Sequence, residues 1–211
     1  MIGVLGGTFD PIHFGHLRPA LELVEQLGLD EVRLIPARVP PHRGQPAAGV
    51  DHRLAMLERA ISGESRLHID TRELSREGPS YTVDTLKSLR SELGADMPLG
   101  LIMGMDAFYG LATWHRWREL TEHANLVVTY RPDSPVPRDG ELGHWLRSAR
   151  VQEPGALKAR AAGELLVWSV TQLDISATGI RELVGAGRSA RYLLPDSVWT
   201  YIREHGLYGA R

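Results

Sequence analysis

M-I-G-V-L-G-G-T-F-D-P-I-H-F-G-H, Met1 to His16, is the stretch that decides how this chain reads. Ile2–Leu5 is a short apolar run ended by Gly6-Gly7, with the length and boundary of a buried strand. From Phe14 to Leu27 the apolar residues Leu17, Leu21, Val24 and Leu27 recur at helical spacing, and Gly28 closes the pattern. Glu31–Ile35 reads as the next strand. Strand, helix and strand in so short a span make a βαβ unit, which requires a parallel sheet.

The alternation continues outward from that unit. Asp51–Ile61 reads as a helix with Leu54, Leu57 and Ile61 on one face, and Leu67–Asp70 as a short strand. Thr82–Leu93 reads as a helix whose Val83, Leu86, Leu89 and Leu93 share a face. Leu99–Met103, Leu126–Tyr130 and Leu165–Val170 are further strands, and a helix follows the last of them near Ser176. The expected fold is α/β: an open, doubly wound parallel sheet, Rossmann-like, with a small C-terminal helical part. Two segments break the rhythm. Pro36–Gly49 holds prolines at 36, 40, 41 and 46 and reads as a long loop. The segment 131–163 opens R-P-D-S-P-V-P-R-D-G and has one periodic stretch, Leu142, Trp145, Leu146 and Ala149. It reads as an excursion, not as a second domain.

Composition narrows the classes. A chain of 211 residues buries roughly 70% of its unfolded surface, enough for a substantial core. With 24 Lys+Arg against 26 Asp+Glu the net charge is −2, which disfavours a dedicated duplex-DNA or anionic-membrane protein. The absence of cysteine excludes disulfides, thiolate zinc sites, iron–sulfur clusters and cysteine nucleophiles. No apolar run approaches the roughly 20 residues of a membrane span. Met1 opens on a short apolar run without a basic region, so no signal peptide is expected and the expected location is cytoplasmic.

The chemistry is expected at Gly6 to His16, at the carboxyl end of the first strand, where open α/β sheets bind ligands. Gly6 and Gly7 let the backbone approach a ligand. The helix that follows offers unpaired N–H groups and a positive dipole end to an anion, and Thr8 adds a hydroxyl. Neither a Walker A loop nor G-x-G-x-x-G is present here. In place of a lysine stand His13 and His16, one turn apart and able to share a face. Imidazolium donors beside a phosphate suit phosphoryl-type transfer, which relies on positioning and charge stabilisation. A capping role or a metal-binding pair is the plainer reading of two such histidines, and the full string of eleven residues weighs against both. Ser176, Thr178 and Arg181, at the start of the last helix, form a second anion site that also provides an N-cap. Gly185-Ala186-Gly187-Arg188-Ser189-Ala190 fits G-x-G-x-x-G/A but follows a helix, so it reads as a helix end.

These residues resemble the nucleotidyltransferase superfamily with its T/H-x-G-H signature, here G-T-F-D-P-I-H-F-G-H. The second half of that pattern, I-S-x-T-x-I-R, reads I-S-A-T-G-I-R at Ile175–Arg181. Within the superfamily the chain is similar to the bacterial nicotinate-mononucleotide adenylyltransferase family. Further matching strings are P-P-H-R at Pro40–Arg43, P-S-Y-T-V-D-T-L at Pro79–Leu86, G-M-D-A at Gly104–Ala107, T-W-H-R-W at Thr113–Trp117 and R-Y-L-L-P at Arg191–Pro195. They span most of the chain, and 131–163 carries none.

The resemblance implies one nucleotidyltransferase domain over 1–211 that joins ATP and nicotinate mononucleotide into deamido-NAD and pyrophosphate. It implies direct attack of the mononucleotide phosphate on the α-phosphorus, with no covalent enzyme intermediate. The implied catalytic residues are His16, on the α-phosphate, with His13 and Arg181 on the neighbouring phosphates. ATP contacts are implied for Gly7, Thr8, Phe9, Gly104, Asp106, Ile175, Ser176 and Thr178. Asp106 also suits an N-cap of the following helix. On the mononucleotide side, Trp114, an exposed indole, would stack on the pyridine, while amides near Thr82 and His115 would receive its carboxylate. Trp117 reads as core. Arg43 and Arg131 suit either the mononucleotide phosphate or solvent. With no carboxylate cage, Mg²⁺ is expected to arrive with ATP. The expected partners are these two small molecules, without nucleic acid or membrane, in a chain able to form a homo-oligomer. The rival readings are an enzyme for nicotinamide mononucleotide and a non-catalytic nucleotide-binding module.

Overall fold

The computed structural model describes residues 1–40, 44–130, 136–137, 139–171 and 173–210. Its strands are β1 (Ile2–Gly7), β2 (Glu31–Pro36), β3 (Leu67–Ile69), β4 (Leu99–Gly104), β5 (Asn125–Tyr130), β6 (Arg150–Val151) and β7 (Leu165–Ser169). They form one seven-stranded sheet in the order β3-β2-β1-β4-β5-β7-β6, with every pairing parallel. Ile2 sits opposite both Glu31 and Leu99, and Leu126 opposite Leu165. The strands are near-continuous apolar runs because both faces are covered. Successive residues serve opposite sides: Leu101 and Met103 join one core, Ile102 the other.

The helices form two layers. On one face lie α1 (Phe14–Leu27), α2 (Val50–Ile61), α8 (Ala177–Gly185) and α9 (Asp196–Glu204), meeting through Leu23, Met56, Ile180 and Ile202. On the other lie α3 (Thr82–Leu93), α4 (Met105–Tyr109), α5 (Leu120–His123) and α6 (Gly140–Ala149), meeting through Leu86, Phe108, Leu120 and Leu146. A short α7 (Gly155–Ala159) completes the set, and no described helix is long and apolar enough to cross a membrane. Gly3 has no room for a side chain: a Cβ there would stand 2.9 Å from both Ile102 and Val32. The doubly wound sheet is therefore as expected. The strand order reverses beside β1, with β2 and β3 on one side and β4 and β5 on the other. In open α/β sheets such a reversal is where ligands bind, here at the carboxyl ends of β1 and β4.

Three details depart from the sequence reading. The buried face of α2 is Arg53, Met56 and Leu57, with Leu54 and Ile61 only half-buried. The face of α1 turns on Ala20, Leu23, Val24 and Leu27, leaving Leu17 and Leu21 half-buried. The excursion after β5 adds the edge strand β6 to the sheet and lays α6 on the second core, where Trp145 meets Trp117 and Phe108. A two-residue strand is too short to leave a periodic signal.

Candidate active site

The crevice begins where β1 ends. Gly6 is exposed, and a Cβ there would meet nothing within 4 Å; a Cβ on Gly7 would strike the Phe9 ring at 2.8 Å. Phe9 is buried and held at φ 49°, a left-handed conformation that a bulky side chain adopts only under strong tertiary constraint. Its ring meets His16 edge-on with centroids 5.2 Å apart. The His13 and His16 rings lie 3.8 Å apart, so the turn spacing does bring them together.

His13 corrects one expectation. It is the N-cap of α1: the Gly15 N–H donates to its Nδ1 at 3.1 Å. The capping role set aside from sequence is thus the one His13 fills. With Nδ1 accepting, the ring proton sits on Nε2. Burial pushes its pKa down to about 4, so at neutral pH it is a neutral donor and not an imidazolium.

The second anion site closes on the first. A Cβ on Gly15 would stand 2.9 Å from the His13 ring and 3.2 Å from the Ile175 carbonyl, so only glycine lets the starts of α1 and α8 approach this closely. Ser176 caps α8, its Oγ accepting from the Gly179 N–H at 3.0 Å. Arg181 donates through Nη2 to Thr178 Oγ1 at 3.2 Å and through Nη1 to the Asp10 carbonyl at 2.7 Å. The starts of α1 and α8 therefore lie together, with His13 and His16 on one and Ser176, Thr178 and Arg181 on the other, and Arg181 reaches across to the Asp10 carbonyl. At the end of β4, Gly104 is exposed with open space around it and is itself the N-cap of α4. Asp106, exposed in the first turn, makes no cap, so its capping alternative falls away.

Residues without an assigned role hold this frame. Asp10, buried, accepts from the Ala47 and Ala48 N–H groups and from the Tyr208 hydroxyl. Arg53, 1% exposed, donates through Nη1 to the Thr8 and Ala37 carbonyls, both at 2.8 Å. Asp10 lay inside the quoted motif without a role. Arg53 gave no sequence signal, because a cation on an apolar helix face is normally solvated.

The other end of the crevice is assembled from separate segments. Tyr81 stacks on His115 with centroids 4.2 Å apart, which joins the start of α3 to the turn after α4. Thr82 opens α3, whose N-cap Tyr81 makes no side-chain bond to the first turn. Trp114, expected to be exposed, is half-buried and packs against the second core; Trp117 is core, as expected. Beneath α3, Thr85 donates to buried Glu73 at 2.6 Å, and burial pushes that carboxyl above its usual range. The loop after β2 is tied here as well, Ser80 Oγ accepting from the Arg38 N–H at 3.0 Å. Arg43 and Arg131 lie outside the described residues. Gly185 ends α8 and Gly187 adopts φ 71°, so that glycine string is a helix end.

The cytidylyltransferase-like family model matches residues 4–183. Two proteins named "Probable nicotinate-nucleotide adenylyltransferase", from Pseudomonas putida (strain W619) and Pseudomonas aeruginosa (strain UCBPP-PA14), are each 51% identical over 209 residues. These alignments cover 99% of this chain and 95% and 97% of the relatives. Among solved structures, the Plasmodium falciparum nicotinic acid mononucleotide adenylyltransferase complexed with NaAD superposes with a TM-score of 0.76. It covers 100% of this chain and 98% of that one at 16% identity, a likeness of fold. By the span of the family model and by identity along nearly its whole length, the chain belongs to the cytidylyltransferase-like family, among the nicotinate-nucleotide adenylyltransferases.

Proposed function

We propose that the chain transfers the adenylyl group of ATP to nicotinate mononucleotide, yielding deamido-NAD and pyrophosphate. A phosphate oxygen of the mononucleotide attacks the α-phosphorus; the bond from that phosphorus to the α–β bridging oxygen breaks, and pyrophosphate leaves. The observation that carries the residue assignment is the closure of α8 onto α1 at Gly15 and Ile175. It brings two helix starts together, and two such starts side by side favour an anion between them. His16 stabilises charge developing on the α-phosphate. His13 donates from Nε2 to the neighbouring phosphates. Ser176, Thr178 and Arg181 take the β- and γ-phosphates and hold the leaving pyrophosphate. Gly7, Thr8, Phe9 and Ile175 supply backbone contacts. Gly104 leaves space for the nucleoside, and Asp106 accepts from its ribose.

At the other end, Trp114 stacks on the pyridine ring, and the amides of Thr82 and His115 receive its carboxylate. Arg43 and Arg131 are assigned to the mononucleotide phosphate. The metal reading follows from the donor set: both Asp10 oxygens are occupied by protein donors. Among the described residues, the one candidate metal cluster, Glu119, Glu122 and His123, has Glu119 paired with Arg116 and Lys87. These residues do not fit a resident metal cage, so Mg²⁺ would arrive with ATP, where it would neutralise phosphate charge. The test is pyrophosphate release with Mg-ATP, comparing nicotinate and nicotinamide mononucleotides. The expected result is a strong preference for the nicotinate form. Turnover with the nicotinamide form alone would overturn the pyridine pocket, and turnover with neither would overturn the reaction.

A further inference from the structure

Tyr208 lies 198 residues from Asp10 in sequence, yet its hydroxyl donates to Asp10 Oδ1 at 2.6 Å. The backbone is bent to make this contact: Tyr208 adopts φ 58°, in a 3-10 turn, Leu207–Gly209, that follows a left-handed Gly206. The same turn lies against the end of α8, where a Cβ on Gly185 would stand 3.6 Å from the Tyr208 carbonyl. Asp10 in turn touches Arg181 twice. Its carbonyl accepts from Arg181 Nη1 at 2.7 Å, and its Oδ2 lies 4.0 Å from the same atom. The carboxylate stands among one hydroxyl, two amides at 47–48 and the Arg181 guanidinium, with the charge of Arg53 acting on it from farther off.

From this juxtaposition we infer that Tyr208 is a positioning residue for the ATP side of the crevice, acting through Asp10 on Arg181. The inference rests on the reading of Arg181 as a phosphate ligand. With the hydroxyl present, Oδ1 is satisfied by Tyr208 and the Ala48 amide, and the carboxylate is held off the guanidinium. Without it, a buried carboxylate oxygen loses a donor and turns toward the nearest cation. That cation is Arg181, so the guanidinium is drawn away from the phosphates it would otherwise meet. Tyr208 thus makes no contact with substrate, and its effect is confined to the ATP half.

The experiment is a double-mutant cycle on steady-state kinetics, with Tyr208→Phe and Arg181→Ala made singly and together. Tyr208→Phe is expected to raise KM for ATP about fivefold and to leave KM for nicotinate mononucleotide within about twofold. In the Arg181→Ala background the same change is expected to shift KM for ATP less than about twofold, because the group it acts through is gone. Independent, additive effects would overturn the inference, as would equal shifts in both Michaelis constants or a lower Tm with unchanged kinetics. An Arg181→Ala enzyme with normal KM for ATP would instead remove the phosphate reading of Arg181, a separately visible failure. Should Tyr208→Phe not fold alone, it is made on Asp10→Asn, which keeps the backbone carbonyl that Arg181 uses but removes the charge that would draw the guanidinium; KM for ATP should then stay within about twofold of the Asp10→Asn value, and a fivefold rise would overturn the inference.

Discussion

The two ends of the crevice are built in opposite ways. At the end of β1, the side chains come from two short strings, Gly6–His16 and Ile175–Arg181, fastened by hydrogen bonds to Asp10 and Arg53. At the other end, Tyr81, Thr82, Trp114 and His115 come from a helix start and a chain of turns, and His115 is exposed. The difference follows from the ligands each end is suited to. A phosphate is met by helix-start amides and one or two donors, which a few consecutive residues supply. A flat ring with a carboxylate needs a face and an edge, which no single short segment presents.

The largest expected effect tests the compact end. His16→Ala should lower kcat by about 10²–10³-fold with the fold intact, the magnitude of losing one preorganised donor to a transition state. Near-normal turnover in that variant would take His16 out of the chemistry and leave the compact end as a binding cradle only.

The next concerns how that end is fastened. His13 is buried with its pKa pushed from 6.5 down to about 4. The unfolded chain therefore takes up a proton below about pH 6.5 that the folded chain refuses until about pH 4. The stabilisation is full above that window and is lost as pH falls through it, by up to about 3 kcal/mol. Urea unfolding at pH 7.5 and 4.5 reads this directly. His13→Asn keeps a good cap without the titration, and should flatten that part of the slope. An unchanged slope in the variant would assign the acid sensitivity to other groups.

Trp114→Ala moves the comparison to the open end. Loss of one aromatic face should raise KM for the mononucleotide about tenfold while KM for ATP stays within about twofold. Equal effects on both substrates would mean that the two ends are not separable and that Trp114 acts through the core it packs against.

The same contrast explains what could be read in advance. The βαβ start, the parallel sheet and the crevice at its carboxyl edge were legible because they rest on local periodicity and on one motif. The pairing of Gly6–His16 with Ile175–Arg181 was suggested by chemistry and is realised by Gly15, whose missing Cβ lets the Ile175 carbonyl approach. Arg53 was not legible, because its burial is compensated by the Thr8 and Ala37 carbonyls, a tertiary fact. The Asp10–Tyr208 bond was equally hidden, since no short-range pattern joins residues so far apart. Trp114 was read as exposed because its turn looked like surface; packing of the second core covers part of it. His13 was read for its chemistry when its Nδ1 was already engaged by the helix it starts.

The smallest expected effect sharpens the comparison most, because it asks what stiffens the open end. Trp145, on α6, meets Trp117 at 5.3 Å in a T-shaped contact and Phe108 at 6.1 Å in a stack. Those two residues flank the turns that carry Trp114 and His115. The segment between β5 and β7, which matched no motif, thus braces the turns that carry Trp114 and His115. Trp145→Ala should weaken the brace without touching substrate, so KM for the mononucleotide should rise about threefold and KM for ATP should not move. Tm should fall by several degrees, since a half-buried indole leaves the second core. A Tm loss with both Michaelis constants unchanged would show that the turns hold themselves. A rise in KM for ATP would show that the second core reaches the compact end, and the two ends would then be one mechanical unit.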